Sequence, residues 1–294
     1  MLVNSLESTD GRVDMNPIIV RMVRSGLLRR AYAACSRIPL LGSFLHVQMM
    51  RVLPVGSRIW LRASHGQAQG LWFLADPRFD ADYYNGKHEA CAQDLLRREL
   101  RPGDSFYDVG AHVGFFSLIA ARIVGPSGSV TAFEPDSRNS LLFRANRERN
   151  KMPQIVLVEA AVWRCSGELK FERSQEASGG MEGHLIEQEV AKTEGPPANE
   201  SRTLSVVAVS LDDYVYKKGG KLPSFLKIDV EGAEVGALAG ATRLFFDVRP
   251  RLLCEVHSSE AAPRVEAWLR ERHYKFEWFG DNARFPRAVV AHPE

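Results

Sequence analysis

The chain's hydrophobic positions follow two periods, and each change of period marks an element boundary. Short apolar runs closed by acids or small residues read as strands: "SFYDVG", "GSVTAFEP", "QIVLVEAAVW", "FLKIDV" and "RLLCEV". Between them, apolar residues return every three to four positions, which predicts helices over "GFFSLIAARIV", "SRNSLLFRANRERN", "EVGALAGATRLFFD" and "APRVEAWLRERH". "YKFEWFG" and "RAVVAH" predict a closing hairpin, and "SRIWLRAS" with "GLWFLAD" an earlier strand pair turning at His65 and Gly66. A helix is expected near 88–100, stopped by Pro102 and Gly103. Strands separated by helices imply a mostly parallel sheet covered on both faces, with ligands beyond its C-terminal strand ends.

Two stretches depart from this rhythm. Residues 1–16 read as a loose tail, and 17–53 as an apolar segment interspersed with Arg21, Arg24, Arg29, Arg30, Arg37 and Arg51. The simpler reading of 17–53 is a helical cap; the alternative is a basic amphipathic contact with a membrane or partner. Residues 172–202 are polar and rich in Gly, Pro and Glu, which predicts a long loop or hairpin tip, as a lid or a plain insertion. The expected division is therefore an appendage over 1–80 and a catalytic domain over 81–294.

Composition narrows the function classes. With 45% hydrophobic and 25% charged residues the chain is globular, and a net charge of +2 gives no argument for a nucleic-acid partner. Cys35, Cys91, Cys165 and Cys254 are too scattered for a disulfide framework or zinc site. A divalent cation at Asp229 and Glu231 is the alternative, but two carboxylates do not make a metal site without further ligands, so no metal is expected. No apolar run is long enough for a membrane span, and the polar opening residues are unlike a secretion signal, so a cytoplasmic protein is expected.

The chemistry concentrates at strand ends. In "DVGAHVG", Asp108 closes a strand, Gly110 allows a tight turn, and Gly114 allows the next helix to pack closely. His112 stands where a dinucleotide fingerprint has its second glycine, which disfavours a pyrophosphate and an NAD(P)-linked oxidoreductase. Glu134 ends the next strand, where a carboxylate can accept both ribose hydroxyls, and Asp136 or Ser137 caps the helix that follows. Ala160 and Ala161 leave room for a flat ring. "LKIDVEGAE" places Asp229, Glu231 and Glu234 in one short turn. Asp229 and Glu231 are read as functional, and Glu234 as a helix-start acid facing the macrodipole. "LLCEVH" adds Glu255 and His257, and histidine suits a general base.

Taken in order, "DVGAHVG", "FEPD", "LKIDVEGAE" and "LLCEVH" resemble the FkbM family of S-adenosylmethionine-dependent methyltransferases over roughly 83–258. His112 departs from the asparagine common there. The resemblance implies an α/β class I methyltransferase fold: a Rossmann-like, mostly parallel seven-stranded sheet with its last strand antiparallel. It implies S-adenosylmethionine as cofactor, with Asp108, Gly110, Ala111, His112 and Gly114 around the methionine part and Glu134 and Asp136 on the ribose side. Ala160, Ala161 and Asp229 complete the cofactor set, and His257, Asp229 and Glu231 are the candidate catalytic residues. The family expectation is O-methylation of a small-molecule or glycan hydroxyl. A non-catalytic membrane- or partner-binding protein on the same fold is the remaining alternative.

Overall fold

The computed structural model describes residues 57–173, 183–186, 203–279 and 284–294. The tail, the arginine-rich segment and most of the 172–202 stretch lie outside the described residues. Arg58–Glu294 form one compact unit.

The unit opens with β1 (Ile59–Arg62) and β2 (Trp72–Ala75), paired antiparallel as expected. Then come α1 (Ala81–Asn85), α2 (Ala90–Glu99), β3 (Ser105–Val109), α3 (Phe115–Val124), β4 (Ser129–Phe133), α4 (Ser137–Arg149) and β5 (Ile155–Val158). An excursion follows: β6 (Ala161–Val162), β7 (Gly167–Arg173), β8 (Gly183–Ile186), β9 (Thr203–Val209) and α5 (Leu211–Tyr216). The chain returns through β10 (Phe225–Ile228), α6 (Glu234–Ala239), α7 (Thr242–Asp247), β11 (Arg251–Val256) and α8 (Ala261–Glu271) to the hairpin β12 (Tyr274–Phe279) and β13 (Arg287–Pro293).

The main sheet has the order β12-β13-β11-β10-β3-β4-β5. The pairs β11/β10, β10/β3, β3/β4 and β4/β5 are parallel, and β13 runs antiparallel to both neighbours. This is the seven-stranded sheet with an antiparallel last strand that the motifs implied. Strand order reverses between β3 and β10, and a crevice opens there beyond the strand ends. The central strands are apolar on both faces: Phe106, Tyr107, Val109, Phe225, Leu226 and Ile228 are all fully buried.

Two long segments read from sequence as single elements are divided. The run "QIVLVEAAVW" is two strands, because the Ala160 N–H turns back to the Val158 carbonyl (2.9 Å) and β6 leaves for a second sheet of order β6-β9-β7-β8. The helix over 234–247 breaks at Gly240, whose carbonyl accepts the Asp212 N–H (2.9 Å). The Asp212 carboxylate then caps the second half, accepting N–H bonds from Arg243 (2.9 Å) and Leu244 (2.8 Å). β7 runs into the 172–202 stretch and pairs antiparallel with β8 inside it.

The edge of β2 is covered by side chains of α4. Asn150 Oδ1 accepts the Trp72 N–H (2.9 Å) and Asn146 Oδ1 the Leu74 N–H (2.8 Å), so the early hairpin is fastened to the sheet's helical layer.

Candidate functional site

A cavity of about 430 Å³ lies at the C-terminal ends of β4, β3, β10 and β11, within the size range of small-molecule pockets. It is lined by Asp108, Gly110, Ala111, His112, Glu134, Ala160, Ala161, Asp229, Glu231 and His257, which are ten of the residues singled out from sequence. Glu255 lines it too, whereas Gly114 and Asp136 of the expected cofactor set do not. Gly114 holds a left-handed turn (φ 88°) before α3, where a Cβ would strike the Phe143 ring at 2.7 Å. Asp136 is the N-cap of α4 and accepts the Arg138 N–H (2.7 Å).

The strand-end acids run across the sheet in strand order: Glu134 after β4, Asp108 in β3, Asp229 after β10 and Glu255 with His257 at β11. With strands spaced about 4.8 Å apart, the row spans about 14 Å, the length of an extended nucleoside-sized ligand and its acceptor. Backbone strain marks the same place. Glu89 (φ 42°), His112 (φ 50°) and Glu231 (φ 47°) are non-glycine residues in the left-handed region, and all three line the cavity.

At the β4 end Glu134 is buried and held by its own chain. Oε2 accepts the His112 N–H (2.9 Å), and Oε1 accepts the Asp136 N–H (2.9 Å) and the Asn139 side-chain N–H (3.1 Å). Burial raises its carboxyl to about 7 despite these bonds. Burial also lowers His112 to about 4, so the ring is neutral at pH 7. The His112 Nδ1 meets the Tyr83 hydroxyl at 3.1 Å, while its Nε2 and Asp108 Oδ1 are buried without a protein partner. Asp108 Oδ2 accepts the Ser117 hydroxyl proton (2.5 Å). Burial raises the Asp108 carboxyl above its usual range, although the Lys227 charge works the other way.

At the β10 and β11 end the central group is Lys227, which sequence reading passed over as one polar residue in an apolar strand. Its side chain is 3% exposed, and Nζ donates to Asp229 Oδ2 (2.7 Å) and lies 4.5 Å from the centre of the Phe116 ring. Burial opposes its charge, but Asp229, Glu89 and Asp108 outweigh burial and raise the ammonium above the ordinary lysine range. Burial would likewise raise Asp229, yet the facing ammonium holds it below the usual carboxylate value. The parallel register sets Lys227 beside Asp108 across the β3/β10 pair, so one cation serves both acids.

His257 meets three carboxylates. Its Nδ1 contacts Glu234 Oε1 at 2.5 Å, and its Nε2 faces Glu231 Oε2 at 3.4 Å and Asp229 Oδ1 at 3.6 Å. Burial lowers a histidine, but the Glu234 hydrogen bond and the Glu231 and Asp229 charges prevail and raise His257 to about 9. Glu255 is pushed up to about 7 by burial and then by the Asp229 charge. Asp229, Glu255 and His257 bring ligand-type atoms within 4.8 Å of one another. Lys227 and the raised His257 also bring positive charge to this end of the cavity.

Glu234 begins a helix, as read from sequence, and its side chain, 0% exposed, also contacts His257. Periodicity could not show this, because the partner is 23 residues away on another strand. Tyr83, His88 and Glu89, also on the cavity wall, lay in a segment with no strand-end motif to draw attention to them.

A doubly covered sheet of this order, with acids on successive strand ends around one crevice, defines an α/β cofactor-binding protein of the class I methyltransferase type. Residues 108–276 match the Methyltransferase FkbM domain. The chain belongs to the FkbM methyltransferase family, and its cofactor is S-adenosylmethionine. It is 29% identical over 194 residues to the 31-O-demethyl-FK506 methyltransferase FkbM of Streptomyces tacrolimicus, covering 58% of this chain and 73% of that protein. It is 25% identical over 202 residues to the hexuronic acid methyltransferase AglP of Haloferax volcanii, covering 68% and 72%. A solved methyltransferase FkbM from Methylobacillus flagellatus KT is 16% identical with a TM-score of 0.45, covering 74% of this chain and 56% of that one.

The cavity fits the cofactor on its own terms. It offers a buried carboxylate oxygen (Asp108 Oδ1) and a buried ring nitrogen (His112 Nε2) that no protein group satisfies, and buried polar atoms normally have partners. Among the described residues no helix is long and apolar enough to cross a membrane.

Proposed function

We propose that this methyltransferase acts on a hydroxyl oxygen of a small molecule or sugar. Bound S-adenosylmethionine supplies an activated methyl group on a sulfonium, so the protein's tasks are to align the acceptor and remove its proton. The observation that carries the reading is His257. A hydroxyl is a poor nucleophile while protonated, and His257 Nε2 faces Asp229 and Glu231 at the cavity. With its value raised to about 9, the ring takes the acceptor's proton in its neutral form, so activity should climb as pH rises toward 9. Asp229 is the second candidate base, and Glu231 helps hold the imidazole. The two curated relatives, one named for 31-O-demethyl-FK506 and one for hexuronic acid, support a hydroxyl acceptor and a small-molecule or glycan class.

In this reading Asp108, Gly110, Ala111 and His112 hold the methionine part. Glu134 receives the ribose hydroxyls, and Ala160 and Ala161 form the floor for the adenine. Gly114 and Asp136 act indirectly, by shaping the turns that present these groups.

The direct test is transfer of labelled methyl from S-adenosylmethionine to a panel of polyols, glycosides and glycan fractions, with the product identified by mass. An O-methylated product that disappears in His257→Gln supports the proposal. Methyl found on nitrogen or carbon, or full activity in His257→Gln, overturns it.

A further inference from the structure

Glu234 occupies an unfavourable position for a carboxylate. It is fully buried, its Oε2 has no partner, and a buried charge costs stability unless its hydrogen bonds are complete. What it does have is specific: Oε1 accepts both the Gly232 N–H (2.8 Å) and the contact with His257 Nδ1 (2.5 Å). A carboxylate can only accept, so in neutral His257 the ring proton stays on Nδ1 and the lone pair is left on Nε2. That nitrogen is the one facing the cavity, 3.4 Å from Glu231 and 3.6 Å from Asp229.

We propose that Glu234 is the positioning residue of the active site: from a buried site on α6 it fixes the tautomer and orientation of His257 so that Nε2 receives the acceptor's proton. Glu234 touches neither cofactor nor acceptor and acts only through the imidazole. The inference rests on His257 as base, but its central claim concerns the ring itself and needs no acceptor. The groups facing His257 are Glu234 from α6, Asp229 and Glu231 from the turn after β10, Lys227 behind Asp229, and Glu255 on its own strand. Glu234 alone among the acids reaches Nδ1.

Glu234→Gln separates positioning from structure. The amide oxygen takes the place of Oε1 and still accepts the Gly232 N–H and the Nδ1–H, so the turn and the ring's orientation are kept while the charge that favours the protonated ring is lost; Glu234→Leu removes the acceptor altogether. The experiment is long-range proton–nitrogen NMR of protein labelled with 15N-histidine, with His257 assigned by its loss in His257→Gln. In the wild type the neutral ring is expected with Nδ1 protonated. In Glu234→Gln the Nδ1-protonated tautomer is kept and the titration midpoint falls by about one pH unit or more; in Glu234→Leu the preference for Nδ1 is lost as well, and Glu234→Asp, which keeps the charge, remains closer to the wild type. A wild-type ring protonated on Nε2 overturns the proposal, as does an unchanged midpoint in Glu234→Gln or an unchanged tautomer in Glu234→Leu. Should Glu234→Gln fail to fold, the wild-type spectrum decides alone. Cofactor binding, read separately as a thermal shift with S-adenosylmethionine, is expected to be unchanged in Glu234→Gln. Its loss in the wild type would count against the methyl-transfer reading and leave the tautomer result standing.

Discussion

Single residues carry the site through unusual environments rather than unusual types. Glu134 is a carboxylate raised to about 7 by burial, yet it accepts three hydrogen bonds from its own turn. It is therefore a rigid acceptor in place before any ligand arrives. Glu134→Ala is expected to weaken S-adenosylmethionine binding roughly 10- to 100-fold, since bonds to charged groups contribute more than neutral ones. Isothermal titration measures this, and unchanged affinity would refute the ribose role. The acids Asp108, Glu134 and Asp229 were legible because each closes an apolar run, where the fold puts ligands. Lys227 was not, since a lysine inside "FLKI" gives no sign that two acids wait for it. Glu234 was legible as a helix-start acid, but not its contact with His257, which is close only in space.

At the scale of elements, the β3 turn and strand β10 hold the site together. Gly110 has φ 85°, and a Cβ there would lie 1.7 Å from the Asp229 carbonyl oxygen. Gly110→Ala should therefore destabilise the protein by about 2 kcal/mol or more, read as a lowered denaturation midpoint. Lys227→Met keeps the apolar stem but leaves Asp229 and Asp108 without their cation. A loss of about 3–5 kcal/mol is expected, as when one partner of a buried pair is removed; a variant as stable as the parent would show that the acids simply take up protons. Helix and strand types were legible where periodicity ran for a full element, as in α3, α4 and α8. The breaks at Ala160 and Gly240 were not, because each depends on a carbonyl or N–H taken by a residue remote in sequence.

For the molecule as a whole, the site's charges make stability depend on pH. Glu134 and Glu255 are raised from 4.5 to about 7, and His257 from 6.5 to about 9. A raised group contributes stability that is complete below its unfolded value and lost as pH climbs through its folded value. All three act in the same direction, so the melting temperature of the free protein should fall from about pH 4.5 to 9, the share of Glu134 and Glu255 being lost by about pH 7 and that of His257 between 6.5 and 9. Asp229, held below its ordinary value, contributes the opposite slope, lost only as the solution becomes strongly acidic. Melting curves across this range test the prediction. Glu134→Gln, which cannot ionise, should flatten the decline, and an unchanged slope in that variant would rule out its share.

The sequence by itself determined the sheet, its helical layers, the family and ten of the cavity's residues. These follow from local rules: an apolar run ends, a glycine turns, and an acid is left at the rim. The tertiary structure alone decided how those acids are held. Lys227 lies between Asp108 and Asp229 because parallel strands fix their register, and Glu234 reaches His257 because α6 packs beside β11. Protonation is set by burial and by neighbours across strands, and neither quantity is written along the chain.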